Sequence, residues 1–474
     1  MSIDPNNIAV SLQSTLDAQK SAYLQAPAPA RKERTDKLLK LKAALIAHQD
    51  QLVTALNEDY GQRPEQDTML ADILPCVMNI NYTVKRLKKW MKPQRRSAGL
   101  LLSPATVRVQ YQPLGVVGIM VPWNFPVMLS IGPLITAIAA GNRAMIKFSE
   151  FTPSTNKVII NILAEVFSVE EVACVEGEAD VAAAFSGLAF DHLMFTGSTA
   201  VGRHVMRAAA DNLTPVTLEL GGKSPVVIAP DMPIATAVER LIYGKCLNAG
   251  QICVAPDYIL CPKDKERDFI EEYQRQFQKM YGTSNNRPDY ANIVNDAQYA
   301  RLTSWLDDAA AKGATITPAN GEAIDRDSRN LATQLVTGTT DDMLLMQQEI
   351  FGPILPIVPY ESLDQALAYI NERPRPLALY IMSLDKNTQT KILQHTHSGG
   401  VCINDTVFHV AAEDAPFGGV GASGMGHYHG KEGFLTFSKA KTILARGASL
   451  NTGKLVHPPY GGFIQKMMLK LFLR

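Results

Sequence analysis

Leu114-Gly-Val-Val-Gly-Ile-Met-Val-Pro-Trp-Asn-Phe-Pro-Val-Met-Leu-Ser-Ile-Gly-Pro-Leu-Ile-Thr-Ala-Ile-Ala-Ala-Gly-Asn142 contains no charged side chain. As one helix it would be long enough to cross a bilayer. Pro122, Pro126 and Pro133, with Gly115, Gly118 and Gly132 beside them, break it instead. Those breakers divide it into a buried strand (116–121), a turn at 122–126, and a buried helix to about Ala140. The rhythm continues: a strand over 144–148, a helix over about 154–167, and short apolar strands at 192–195 and 225–228. Continuous apolar strands alternating with helices predict a parallel α/β sheet covered on both faces.

Upstream, residues 8–60 are helical and amphipathic, with Leu38, Leu41, Leu45, Leu52 and Leu56 near helical spacing. Pro93 to Ser97 is a basic break. Thr106 to Tyr111 alternates as a strand, half of a hairpin projecting from the body. Beyond about residue 219 a second α/β region begins, with a helix over about 263–279, a strand at 354–358 and a helix at 363–371. The segment from Gly462 to Arg474 is apolar and basic but too short to span a bilayer, so a packed tail or a dimer contact is expected there.

The 474 residues suggest two or three domains. Lys and Arg number 46, as do Asp and Glu, so no global field draws the chain toward nucleic acid or an anionic membrane. Six scattered cysteines form no CxxC pair, which suits reduced thiols in the cytoplasm rather than a disulfide framework or a zinc site. The N-terminus lacks the basic and apolar pattern of a secretory signal.

Two motifs mislead. Gly419-Val-Gly421-Ala-Ser-Gly424 fits GxGxxG but follows no strand, so a flexible glycine loop is the expectation. Gly221-Gly-Lys-Ser224 resembles the end of a phosphate loop, yet the first glycine it requires falls on Thr217. Three other positions matter more. Cys253 sits in the small-residue stretch Asn248-Ala-Gly-Gln-Ile-Cys253. Glu219 places a carboxylate in an apolar strand, where burial would raise its pKa toward that of a base. Asn124 is held in the constrained Pro122-Trp-Asn-Phe-Pro126 turn. Singly, they read as a small core residue, an ion-paired carboxylate and a capping amide.

Together these segments resemble the aldehyde dehydrogenase superfamily over nearly the whole chain. The family-like order is Pro122-Trp-Asn-Phe-Pro126, Lys147, Phe195-Thr-Gly-Ser198, Glu219-Leu-Gly-Gly-Lys223, Gly250-Gln-Ile-Cys253, Glu349-Ile-Phe-Gly-Pro353 and Pro416-Phe-Gly-Gly419. The resemblance implies Cys253 as nucleophile, Glu219 as general base and Asn124 as oxyanion donor. For the coenzyme it implies Trp123, Lys147 and Glu150, the glycine turn Gly197-Ser198 to Gly202, and the pair Glu349 and Phe351. A carboxylate at Glu150 favours NAD, while neighbouring Lys147 leaves NADP open. No metal is implied.

The same resemblance implies a Rossmann-like NAD(P)-binding domain (1–98 and 113–218), a second α/β catalytic domain (219–425), and a small β oligomerisation element (99–112 with 426–474). Gln251 to Tyr258 and His457-Pro-Pro-Tyr460 are similar to the class 3 group, near which bacterial coniferyl aldehyde dehydrogenases lie. A homodimer without a stable membrane anchor is implied, acting on an aromatic aldehyde such as coniferyl aldehyde or on a medium-chain one. Phe148 stands where proline is common in the family. Two alternatives remain at this level: a coenzyme A-acylating enzyme, against which Glu219 argues, and a non-catalytic, crystallin-like descendant.

Overall fold

In the computed structural model the uncharged stretch is divided at Pro122 and Pro126, whereas Pro133 and Gly132 lie inside the helix and Gly118 inside the strand without ending either. It becomes the wholly buried strand Val116–Met120 and the helix Pro126–Ala140, buried at nearly every position. Pro126 occupies the first turn, where its missing N–H costs nothing. Gly141 (φ 93°) ends the helix, its N–H turned back onto Ala137 and Ile138. The Arg34 guanidinium donates to the Ala139 carbonyl at 2.9 Å, satisfying a terminal acceptor. The structure describes residues 5–473 apart from 286, 326–327, 449–452 and 455–456. Arg474, in the expected basic tail, and residues 1–4 of the expected first domain lie outside the described residues.

Val116–Met120 lies inside a six-stranded sheet ordered Gly424–Met425, Val216–Glu219, His192–Thr196, Val116–Met120, Arg143–Lys147, Val172–Val175. All neighbours are parallel except Gly424–Met425. From Val116–Met120 the chain adds two strands on one side, then returns to add two on the other. The order therefore reverses between Val116–Met120 and His192–Thr196, where the connections leave opposite faces and open a crevice at the carboxyl ends. The segment 419–424, expected to be a glycine loop, reaches the sheet. It is a turn folded onto the sheet edge: Gly424 (φ 139°) pairs with Glu219, and a Cβ there would lie 2.1 Å from the Leu218 carbonyl.

The second sheet has seven strands, ordered Thr315–Pro318, Gln334–Thr337, Ile354–Tyr360, Tyr258–Pro262, Pro225–Ile228, Ala378–Met382, Gly400–Ile403. Only Thr315–Pro318 is antiparallel to its neighbour. The N-terminal stretch forms three helices, Pro5–Gln25, Arg31–Ala47 and Gln49–Tyr60. Gln19 of the first reaches the Ala144 carbonyl at 2.9 Å.

The third sheet contains the expected hairpin, Gln94–Arg96 antiparallel to Thr106–Pro113, and adds a distant third strand to it. Thr106–Pro113 pairs with distant Ser438–Ala445 along its whole length, and with Gln94–Arg96 over three residues. The basic break at 93–97 is thus partly a strand. Near the end, Phe463–Phe472 is a helix with no buried side chain, so it does not pack onto its own chain as a tail. Among the described residues no helix is long and apolar enough to cross a membrane, and no cluster of three His, Cys, Asp or Glu could hold a metal.

Candidate active site

The crevice at the sheet's carboxyl ends is a cleft of about 1030 Å³. Trp123, Asn124, Lys147, Glu150, Gly197, Ser198, Glu219, Cys253, Glu349 and Phe351 all line it. The fold thus brings together every residue singled out in the sequence except Gly202. That glycine lies within the helix Thr199–Ala210, where a Cβ would meet the Leu220 side chain at 2.7 Å. The absence of a side chain there lets the helix pack closely on the sheet.

Cys253 arrives on a strained path. After the helix Ile234–Cys246, Asn248 (φ 49°), Ala249 (φ 52°) and Gly250 (φ 72°) are all left-handed. For Asn and Ala this conformation is costly and persists only if the surroundings impose it. They do: Asp67 accepts from the Asn248 N–H at 3.1 Å, and the Asn248 amide donates to the Asn124 carbonyl at 3.2 Å. The Gln251 side chain donates to the Asn248 and Asn292 carbonyls and accepts from the Val294 N–H. Desolvation pushes the Cys253 thiol up to about 12, with Glu349 and Glu219 adding to it. Those carboxyls contribute only when ionised, and burial raises both of their pKa values.

Glu219 ends the strand Val216–Glu219, is 4% exposed, and has no partner for either carboxylate oxygen among the described residues. Desolvation alone lifts its pKa well above the ordinary value. A buried, unpartnered carboxyl is expensive, and in a cleft it marks a functional candidate. Asn124 Nδ2 donates to the Gln251 carbonyl at 3.1 Å, while its Oδ1 is unpartnered among the described residues. The amide is therefore tied to the cysteine loop.

Glu349 and Phe351 approach from the second sheet. Phe351 (φ 47°) meets the Trp123 ring edge-on at 5.2 Å. Desolvation, then the charge of Asp257, pushes Glu349 up to about 8, against the Gly222 N–H and Lys223. A Cβ at Gly221 would lie 2.1 Å from the Glu349 carboxylate, so any side chain there would displace Glu349 from this position. Three side chains not foreseen from sequence hold this loop. Lys223 pairs with Asp257 and donates to the Leu345 (2.7 Å) and Gln348 (3.0 Å) carbonyls. Asp257 accepts from the Ile350 N–H at 2.8 Å, and Arg301 donates to the Ile350 carbonyl at 2.9 Å. The motifs ending at Lys223 and beginning before Asp257 were visible, but their pairing was not.

The rest of the cleft fits a dinucleotide. Ser198 caps the helix Thr199–Ala210, whose N-terminal amides open on the cleft as a phosphate site. Lys147 donates to the Gly177 carbonyl at 2.6 Å and lies 3.6 Å from Glu150, at the end of the neighbouring strand. Desolvation lowers the Lys147 pKa, and Glu150 opposes it. Ala182, Val201 and Val205 give an apolar wall for a flat base, and the unpartnered Glu349 Oε1 is a buried acceptor for a hydroxyl.

The aldehyde dehydrogenase family model matches residues 7–443. A probable coniferyl aldehyde dehydrogenase of Pseudomonas aeruginosa is 52% identical over 98% of this chain and 96% of its own. Substrate-bound Staphylococcus aureus AldH superposes with a TM-score of 0.92 at 38% identity, covering 100% of both chains. A Mycobacterium tuberculosis aldehyde dehydrogenase complexed with NAD+ gives 0.84 at 27% identity, over 94% of this chain and 92% of that one. The chain belongs to the aldehyde dehydrogenase family and is an NAD(P)-dependent enzyme that oxidises aldehydes to carboxylic acids.

Proposed function

We propose that Cys253 is the nucleophile, Asn124 the oxyanion donor and Glu219 the general base in the oxidation of an aromatic aldehyde of the coniferyl type. One observation carries this reading: a thiol, an amide and an unpartnered buried carboxyl line one cleft beside a dinucleotide-shaped groove. The Cys253 thiol gives its proton to water, its sulfur attacks the aldehyde carbon, and the carbonyl oxygen becomes an alkoxide in a thiohemiacetal. The Asn124 amide and the Cys253 backbone N–H stabilise that oxygen; one such donor is typically worth about 3 kcal/mol. When bound, the oxidised nicotinamide supplies the hydride acceptor and a positive charge. Loss of hydride from the thiohemiacetal leaves a thioester on Cys253. Glu219 then takes a proton from water as the oxygen attacks that thioester, releasing the acid and the thiol.

Trp123, Lys147, Glu150, Gly197 and Ser198 would hold the adenosine and pyrophosphate portion, and Glu349 with Phe351 the nicotinamide end. Glu150 favours NAD, since a carboxylate repels a 2′-phosphate. The coniferyl class is supported by the Pseudomonas aeruginosa relative. It is also supported by half-buried Met128, Leu129, Tyr243 and Phe417, which pack against the same core as Cys253. The division into a coenzyme domain around the six-stranded sheet, a catalytic domain around the seven-stranded one and a β element for dimerisation belongs to the same reading. Six free cysteines suit a reducing cytoplasm.

With NAD or NADP, turnover of benzaldehyde, coniferyl aldehyde, hexanal, octanal and acetaldehyde is followed by absorbance of the reduced coenzyme, with and without coenzyme A. Coniferyl aldehyde with NAD, independent of coenzyme A, is expected to give the highest kcat/KM. Faster turnover of hexanal and octanal would shift the substrate class, and a requirement for coenzyme A would remove hydrolysis by Glu219. Ser438–Ala445 borders the small sheet with half-exposed Leu444, an edge suited to meeting a second copy. Sedimentation is expected to return a particle of two chains; single chains at micromolar concentration would remove the homodimer.

A further inference from the structure

Behind the cleft, away from any ligand, the Asn124 main-chain carbonyl accepts from three donors. Arg63 Nη1 lies 3.0 Å away, the Tyr60 hydroxyl 3.2 Å and Asn248 Nδ2 3.2 Å. The Arg63 guanidinium is wholly buried, with its carbon 5.1 Å from the centres of both the Tyr60 and Phe125 rings. Its Nη2 donates to Asp72 Oδ2 at 2.7 Å. Asp72, also fully buried, accepts from the Met128 N–H through Oδ1 at 3.0 Å, just inside the helix that follows the Asn124 turn. It stands on a single π-helical turn, Met69–Ile73, a distortion that re-aims side chains and recurs at functional sites.

For stability alone this is a poor arrangement. Two charges are desolvated, and among the described residues Arg63 Nε has no partner. Well-packed apolar residues commonly do as well as a buried ion pair, or better. What the pair does supply is position. Arg63 grips the peptide oxygen of Asn124 and Asp72 grips the first helical turn beyond it. Gln251, in the cysteine loop, meanwhile accepts from the Asn124 side chain. The amide is fixed from front and back, with a buried cation directly behind its peptide.

We infer that Arg63, paired with Asp72, is a positioning residue that aims the Asn124 amide at the developing alkoxide on Cys253. The inference rests on Asn124 being the oxyanion donor. Arg63 touches neither substrate nor coenzyme and acts through the Asn124 peptide. Its removal should therefore slow the chemical steps, leaving coenzyme affinity intact, because misplacement of a reacting group costs rate more than binding.

The test compares R63K, R63M, R63M/D72N and N124A with the unaltered enzyme. It uses kcat, aldehyde KM, NAD dissociation constants, Tm, and the primary isotope effect with benzaldehyde deuterated at the aldehyde carbon. In R63M/D72N both charges are removed while an acceptor for Met128 remains, so the fold is kept if R63M alone is unstable. R63M and the double variant should lose ~30- to 100-fold in kcat with NAD affinity within ~2-fold, and their isotope effect should rise toward that of N124A. R63K should recover at least ~10-fold of the loss. A folded R63M/D72N with kcat within ~3-fold of the unaltered enzyme would overturn the inference. So would a loss of kcat matched by equal losses of NAD affinity and Tm with an unchanged isotope effect. Full activity in N124A is a separate outcome: it would remove the oxyanion reading, and this inference with it.

Discussion

Replacing Cys253 with alanine is expected to lower aldehyde-dependent coenzyme reduction by ~10⁴-fold or more while NAD still binds, because the thiol opens the only covalent route. Cys253 is the sole cysteine lining the cleft, and of the other five only Cys174 is not buried. The fold itself should be nearly indifferent, since the thiol meets backbone N–H groups of Cys253 and Val254 rather than a side-chain network, and alanine fits where it stood. A shift in Tm on adding NAD, as large in the variant as in the unaltered protein, would check that the groove is intact. Residual activity above ~1% of the unaltered rate would sink the assignment. The thiol also has a pH signature. With its pKa pushed up to about 12 by burial, the thiolate fraction climbs about tenfold per pH unit through neutrality. Alkylation by iodoacetamide, followed by peptide mass at Cys253, should therefore accelerate steeply from pH 6 to 9. A rate already flat at pH 6 would reveal a resting thiolate and contradict the desolvated setting.

Where short-range chemistry decides, the sequence was a sufficient guide. Pro122, Pro126 and Gly141 punctuate a run too apolar to be anything but interior, and strand, turn and helix follow within a residue or two. Cys253, Glu219 and Asn124 were legible as a set because each sits in its own short motif. What escaped depends on distant pairing. The alternation at 106–111 says strand, but nothing in it names Ser438–Ala445 as the partner. Gly424 reads as loop because two residues are too few to show a period, yet it closes the sheet beside Glu219. Arg63 lies in Gly61-Gln-Arg-Pro-Glu-Gln-Asp67, whose polarity reads as surface. Only the fold reveals the Asp72 carboxylate that makes its burial tolerable. Gly202 fits a phosphate-turn pattern, and only the fold shows that its missing side chain lets the helix close on Leu220.

Glu219→Gln should separate the two halves of the reaction. Glutamine keeps the shape of the side chain but cannot take a proton, so attack on Cys253 and hydride loss proceed while hydrolysis stalls. Rapid mixing is expected to show a burst of reduced coenzyme close to one per active site, then a steady state ~10²- to 10⁴-fold slower. The trapped thioester should appear as an acyl-sized mass increment on Cys253. The same substitution should alter stability with a definite sign. Desolvation raises the Glu219 pKa in the folded protein above its unfolded value, so the folded state holds this proton more tightly. The unfolded chain loses it first as pH rises. Stability contributed at this position is therefore present below the ordinary carboxyl range and drains away as pH climbs through the raised value. Glutamine carries no such dependence. The Tm advantage of the variant should be clear at pH 8 and shrink toward pH 5, while Glu349, pushed up to about 8, behaves alike in both proteins. A variant that is slower yet no more stable at pH 8, with no burst, would mean that this carboxyl supports the structure of the cleft rather than its chemistry. A more stable variant with a full burst would mean that the unpartnered carboxyl is retained, at a cost to the fold, for the proton it removes from water.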